Sequence, residues 1–267
     1  MDQPVTGELS VLQLTDCHLY QNPAKRLLGI DTQQSLEEVV ASILETEERP
    51  DLVVATGDLV HDGSEEGYMR LAQVVAKLDA PLAVLPGNHD DPTAMRRVLP
   101  KKGVQVCGHL DLGNWRLVLL DSHQPGEDGG FLREEELNRL DGLLAEDSRH
   151  VLIFLHHHPL PVECPWLDRI ALRNGDALLR RVEEHPQVKG VVWGHVHQEW
   201  QGRLRQARLL GTPSTCIQFA PRADRFSVAL EPPAWRQIRL AADGAFGTRV
   251  KRLHDLPLGL AVDSSGY

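Results

Sequence analysis

Short apolar runs alternate along the chain with segments whose apolar residues recur every three to four positions. "LSVLQLT" (Leu9–Thr15) reads as a strand. "SLEEVVASILETEE" follows, with Leu36, Val39, Val40, Ile43 and Leu44 at helical spacing, and Ser35 with Glu38 has the form of a capping box. "DLVVATGD" is a second buried strand. "SEEGYMRLAQVVAKL" is a helix with Tyr68, Leu71, Ala72, Val75 and Leu78 on one face, and "PLAVLPGNHD" is a third strand. This strand–helix alternation predicts a parallel sheet with right-handed crossovers. Strands at "WRLVLLDS", "HVLIFLHH" and "VKGVVWGH" are interleaved with helices at "REEELNRLDGLLAE" and "GDALLRRVEEH". After Gly202 the runs "ARLLGTPST", "RFSVALEP", "AWRQIRLAA" and "TRVKRLH" read as successive strands, which predicts an antiparallel or mixed second sheet. The simplest arrangement is one domain of two sheets with outer helices, over residues 1–255, followed by a flexible tail, 256–267.

Bulk composition changes this picture little. The 267 residues suit one large α/β domain, and 42% hydrophobic with 25% charged residues is an ordinary globular balance. A formal net charge of −10, with no basic run, disfavours long nucleic acid as a partner. Cys17, Cys107, Cys164 and Cys216 are scattered without a CxxC pair, which argues against a zinc ribbon or a disulfide framework. No apolar window is long enough to span a membrane and no secretion signal is evident, so a cytoplasmic protein with no membrane partner is expected.

Chemistry collects where the strands end. The first ends in "LTDCHL" with Asp16 and His18, the second in "ATGDLV" with Asp58, and the third in "LPGNHD" with Asn88, His89 and Asp90. "FLHHHP" (His156, His157, His158) and "VWGHVH" (His195, His197) end two later strands. Functional groups of an open α/β sheet gather outside the carboxyl ends of its strands. In extended chain, residues i and i+2 face the same way, so Asp16 with His18 and His195 with His197 are expected as same-side pairs, with Cys17 and Val196 turned away. Gly57 and Gly87 allow the next side chain to enter a crowded site. Carboxylate, amide and imidazole donors without thiolate suit two cations such as Fe, Mn, Zn or Co. Asp58 is the natural bridging carboxylate, and two such ions can clamp a phosphoryl group and activate a shared water as hydroxide.

The order D-x-H, GD, GNHD, a His-rich strand end and GHxH, from about Leu9 to His197, resembles the calcineurin-like metallophosphoesterases. "GDLVHDGS", "LHHHPLP", "WLD", "LRN", "GHVHQE" and "TPSTCIQF" extend the likeness, to about Phe219, toward the bacterial 3′,5′-cyclic-AMP phosphodiesterases of that superfamily (class III). The resemblance implies a four-layer α/β/β/α sandwich with two mixed sheets and a dinuclear centre at the carboxyl ends of the strands. It implies one metal on Asp16, His18, Asp58 and His197, and a second on Asp58, Asn88, His195 and one histidine of the triple. The family register, with the ligand two residues before the proline, selects His157; strand alternation alone does not. Iron and manganese are the expected metals. His89 would contact the phosphate or protonate the leaving alkoxide, Asp90 would orient His89, and Asn88, His89 and His197 would touch substrate.

Blander readings stand beside these. His61 and Asp62 read as turn residues that could rim the site, and His123 as a residue that could lie near it. His109, His150, His185 and His254 read as surface or structural histidines, and Cys17 as a small buried residue. His156 and His158 read as pocket wall or supporting residues. Trp166 and Phe219 could stack on a base, and "TPST" could contact nucleotide, but loop packing and a turn explain them equally. The expected activity is hydrolysis of 3′,5′-cyclic AMP to 5′-AMP by a hydroxide bridging two metals. The alternatives are another phosphomonoesterase, dinucleotide hydrolase or nuclease of the superfamily, or a non-catalytic scaffold. A homodimer is left open.

Overall fold

The computed structural model describes residues 8–45, 49–261 and 266. In chain order its elements are β1 (Leu9–Leu14), α1 (Thr32–Glu45), β2 (Leu52–Thr56), α2 (Glu65–Val75), β3 (Leu82–Leu85), α3 (Pro92–Val98), β4 (Gln105–Val106), β5 (Gly108–Leu112) and β6 (Trp115–Leu119). There follow α4 (Glu134–Glu146), β7 (His150–Leu155), α5 (Pro165–Asp168), α6 (Gly175–Glu184), β8 (Val188–Trp193), β9 (Trp200–Leu204), β10 (Ala207–Gly211), β11 (Gln218–Phe219), β12 (Val228–Ala229), β13 (Ala234–Leu240) and β14 (Phe246–Arg252).

Two six-stranded mixed sheets form, ordered β14-β13-β1-β2-β3-β4 and β5-β6-β7-β8-β10-β9, with β11-β12 as a separate ribbon. Within the two sheets, β1-β2-β3-β4 and β6-β7-β8-β10 run parallel. The second sheet is mixed as expected, but its membership differs from the sequence reading. β9, which contains Gly202, and β10 join it, whereas β13 returns to pair antiparallel with β1, and β14 with β13, at the edge of the first sheet. Local pattern records that a segment is a strand and not which strand it pairs with. "RFSVALEP" supplies only the two residues of β12.

Strand alternation explains the layering. Leu9 and Val11 of β1, Leu52 and Val54 of β2, and Ala83 and Leu85 of β3 meet Leu117 and Leu119 of β6 and Leu152 and Phe154 of β7 in a core between the sheets. The intervening Leu12, Leu14, Val53, Ala55 and Val84 face α1, α2 and α3. Val151, Ile153 and Leu155 of β7 face the helices of the other side, with Leu140 of α4 and Leu178 of α6. A strand buried on both faces must be apolar at nearly every position, which is why these strands read as continuous runs. Three cores thus separate four layers, α/β/β/α.

Two helix details differ from expectation. Ser35 is not an N-cap. α1 begins at Thr32, and Asp31 caps it by accepting from Gln34 N at 2.9 Å, while Ser35 Oγ donates to Thr215 O at 2.6 Å. Leu44 is 50% exposed and outside the apolar face. Residues 46–48 of the expected helix lie outside the described residues. α3, absent from the sequence pattern above, opens with Asp91 as N-cap and Pro92 in the first turn. Of the tail, Ala261 N donates to Leu28 O at 2.9 Å, and residues 262–265 and 267 lie outside the described residues.

The buried inter-sheet layer should dominate stability. Phe154→Ala is expected to lower the unfolding free energy by about 3–5 kcal/mol, whereas Leu44→Ala should change it by less than about 0.5 kcal/mol. Urea unfolding monitored by circular dichroism reads both values.

Candidate metal centre

β1, β2 and β3 of one sheet and β7 and β8 of the other deliver their carboxyl ends to one seam. Across it His197 Nε2 lies 3.3 Å from Asp16 Oδ1 and 3.4 Å from His18 Nε2. Asp58 Oδ2 lies 3.8 Å from His18 Nε2 and 3.4 Å from His156 Nε2. Asp16, His18, Asp58, His195 and His197 are all buried. The structure therefore brings together the predicted residues of all five strand ends.

The local geometry is not the extended chain that the sequence reading assumed. Asp16, His18, Asp58, His195 and His197 have φ of 54°, 46°, 49°, 64° and 46°, all in the left-handed region. Each such residue without a glycine's freedom costs roughly 1–2 kcal/mol of backbone strain. Successive tight turns, and not strand alternation, aim each pair at the seam. Cys17 and Val196 between them enter the helix-side cores, as expected. The turns are held by Asp16 N donating to Gly57 O at 3.0 Å and His18 N donating to Asp58 O at 2.8 Å. Gly57 has φ 90°, and a Cβ there would stand 2.4 Å from His156 Nδ1; one on Gly87 would stand 2.2 Å from Asp58 Oδ1. Both glycines are required by close approach to the site.

Hydrogen bonds fix which ring nitrogens face the seam. His197 Nδ1 lies 2.8 Å from Ile217 O and His156 Nδ1 lies 2.8 Å from Thr56 O. A carbonyl only accepts, so in each ring Nδ1 carries a proton, and the neutral ring presents its Nε2 lone pair. For His197 that lone pair faces Asp16 and His18, and for His156 it faces Asp58 and, at 3.2 Å, Asn88 Oδ1. Acceptors aimed at acceptors inside a buried site call for a cation between them, which is the fit a metal centre requires. His195 Nε2 meets Ile170 O at 3.2 Å, which leaves its other nitrogen for the site.

Titration follows the same geometry. Burial would raise the Asp58 carboxyl, but the surrounding imidazoles, His156 foremost, hold it well below the usual range. Burial lowers His156 too, yet the charge and hydrogen bond of Asp58 push it up to about 9, so a proton is attracted where a cation would sit. Burial holds His18, His157 and His195 well below the ordinary histidine value, as neutral rings.

The triple resolves into three directions. The sequence reading selected His157; the structure turns His156 toward Asp58 and Asn88 instead. His157 Nε2 meets Asp128 O at 3.2 Å and Nδ1 meets Ser122 Oγ at 2.8 Å, so both nitrogens are engaged by protein. One nitrogen each of His156, His157 and His195 nevertheless fall within 4.8 Å of one another. His158 is fully buried, with Nε2 3.7 Å from Asp168 Oδ1.

His89 donates its backbone N–H to Asp58 Oδ1 at 2.9 Å, and its ring packs edge-on to His18 at 5.1 Å. Asp90 does not occupy the role expected of it. Its buried carboxylate accepts from Leu59 N, Val60 N, Gly87 N and Tyr68 Oη at 2.9–3.2 Å, bracing the Asp58 loop against the Asn88 loop. Burial, with the charge of Asp58, pushes it up to about 6. His61 is closer to the site than a turn residue need be: its Nδ1 is 3.1 Å from His18 Nδ1 and its ring stacks on His89 at 4.3 Å. His123 lines a neighbouring cavity with Asn88, Arg96 and Arg133. Its place after the GD motif sets His61 at the rim, and the turn at Asp58 brings it onto His18.

Residues 9–199 match the family model for calcineurin-like phosphoesterase. The chain is 40% identical over 259 residues to the Pseudomonas aeruginosa 3′,5′-cyclic adenosine monophosphate phosphodiesterase CpdA, covering 96% of this chain and 94% of that protein. It is 41% identical over 272 residues to CpdA of Escherichia coli K12, covering 99% and 98%. A dimetal phosphatase from Danio rerio shares the fold with a TM-score of 0.65 at 16% identity, covering 89% of this chain and 96% of that one. Buried facing acceptors, five motif-bearing strand ends and a match across most of the chain agree: the chain belongs to the calcineurin-like phosphoesterase family.

Proposed function

We propose that the protein hydrolyses the phosphodiester of 3′,5′-cyclic AMP to 5′-AMP with two bound metal ions. The observation that carries the reading is Asp58, one buried carboxylate standing between two sets of donors whose lone pairs converge. Near-full-length likeness to proteins named as cyclic-AMP phosphodiesterases supports the choice of substrate.

Asp16, His18, Asp58 and His197 would hold one ion. Asp58, Asn88, His195 and His156 would hold the other. His156 replaces the expected His157 in this proposal because its Nε2 lone pair faces Asp58 and Asn88, whereas His157 has no lone pair to spare between Ser122 and Asp128. The donor set favours iron or manganese and accepts zinc or cobalt. Bound there, the ions would neutralise phosphodiester charge and supply an activated water at neutral pH.

The chain's own residues do the rest. His89, half-buried at the cavity and tied through its backbone to Asp58, stands where it can hold a phosphate oxygen or give a proton to the departing ribose alkoxide. Asn88 offers its amide nitrogen to the phosphate. Asp90 keeps these two loops in register. Among the described residues no helix is long and apolar enough to cross a membrane. The four cysteines are free thiols and three are buried, which supports a reducing, cytoplasmic setting.

Metal content separates the ligand assignments. His156→Ala should lose about one ion per chain and nearly all turnover, while His157→Ala should retain both ions; elemental analysis showing the reverse would restore His157. Asp58→Ala should lose at least one ion, and full occupancy in that variant rejects the bridging role. His89→Ala should keep both ions yet lose about 10²–10⁴-fold in turnover of cyclic AMP. A substrate panel with defined metals decides the reading itself: a chelator-sensitive enzyme that spares cyclic AMP and hydrolyses phosphomonoesters or dinucleotides would replace it.

A further inference from the structure

The cavity in front of the centre, about 230 Å³, has two unlike walls. One carries Asn88, His89 and His195. The other is made of Trp166, Leu167, Ile170, Phe219 and Phe226, with no charged side chain among them. Trp166, Phe219 and Phe226 form a mutual edge-to-face cluster, with centroids 5.0, 5.4 and 5.4 Å apart. Their roles differ. Phe219 is buried and lies flat on His197 at 4.0 Å and 14°, so one of its faces is committed to the centre. Trp166 and Phe226 are half-buried.

Both half-buried rings are anchored. Val162 N donates to the Asp168 carboxylate at 2.8 Å, closing the loop around α5, and Ile170 O meets the His195 ring at 3.2 Å. The segment that carries the indole therefore also fixes the tautomer of a centre histidine. Buried Cys164, just before α5, points its thiol at Ala223 O at 3.4 Å, tying this loop to the one that carries Phe226. The indole N–H of Trp166 is buried with no acceptor among the described residues.

We infer that Trp166, backed by Phe226, is the platform for the nucleobase of the substrate. This deepens the cyclic-nucleotide reading and rests on it. A flat, uncharged aromatic wall directly beside a phosphate-binding wall accepts a group that is planar and neutral and is joined to a phosphate, which describes a nucleoside phosphate. Asp128, the charged residue in the lining, makes that side unfavourable for a second anionic group. Stacking of this kind tolerates any base, so the platform distinguishes nucleotides from base-free diesters and not adenine from guanine.

Binding measured apart from turnover tests it. The metal-loaded protein is titrated calorimetrically with 5′-AMP and with ribose 5-phosphate. Wild type should prefer 5′-AMP; Trp166→Ala should weaken 5′-AMP about tenfold and leave ribose 5-phosphate unchanged, and Trp166→Phe should restore most of the difference. In kinetics, KM for cyclic AMP and cyclic GMP should rise together in Trp166→Ala. Metal content and the unfolding midpoint verify folding, and Phe226→Ala, expected to shift the same preference by a smaller factor, stands in if Trp166→Ala does not fold. Retention of the full 5′-AMP preference in these variants, or its absence in wild type, overturns the platform. A wild type that prefers 5′-AMP in a Trp166-dependent way but spares cyclic AMP keeps the platform and removes the cyclic-nucleotide reading.

Discussion

Asp58 sets the terms for everything at the seam. It is 1% exposed, and a buried carboxylate without compensating charge or donors is among the most costly things a fold can contain. Its compensation comes from both sheets. His89 N donates to Oδ1 from the β3 loop, and His18 and His156 reach Oδ2 from β1 and β7. No single loop could supply these partners, so the placement of one carboxylate requires two sheets stacked with their parallel strands ending together. The requirement for Gly87 belongs to the same constraint, since any side chain there would strike that carboxylate.

The left-handed turns are the local counterpart. Five left-handed residues without a glycine among them add up to several kcal/mol of strain, which no loop would hold by itself. Each turn is fastened to a neighbour. Asp16 is pinned by Gly57 O, by Thr15 Oγ1 at 2.7 Å and by the His195 N–H at 3.1 Å; the Asp58 turn is fastened to the Asn88 loop through Asp90. The strands below are buried on both faces and cannot yield. Rigid cores on either side therefore convert local strain into fixed ligand direction, which a centre that must accept ions without rearrangement needs.

Much of this was legible in the chain. Continuous apolar runs ending in Asp, Asn or His located the strands and the edge where they deliver their chemistry, because burial on two faces and function at the carboxyl ends each leave a periodic trace. Pairing left no such trace, so β13 and β14, read with the later strands, instead extend the first sheet from β1, with β13 beside β1 and β14 at the edge. The short edge strands β4, β5 and β9 are half polar and hid among loops. Within the centre, spacing named Asp16, His18 and Asp58 but assumed extended chain where the backbone turns left-handed. It could not reveal that Asp90 spends its carboxylate on backbone N–H groups, nor that His61 leans on His18, since both depend on how one turn packs against another.

The three consecutive histidines show what sequence counting omits. Adjacent side chains leaving a strand end point in different directions, so three imidazoles in a row meet three different sets of neighbours. His156 is clamped by Thr56 O and faces Asp58. His157 turns to Ser122 and Asp128, holding the loop after β6 so closely that a Cβ on Gly130 would stand 2.5 Å from its ring. His158 lies beside Asp168 and accepts from Leu172 N at 3.0 Å through its carbonyl, steadying the segment that carries Trp166. One strand end thus reaches the centre, a loop beside it and the aromatic wall of the cavity at once. Because the chain there is continuous with β7, whose Phe154 lies in the inter-sheet core, the distance between centre and wall is fixed by the same packing that fixes the sheets.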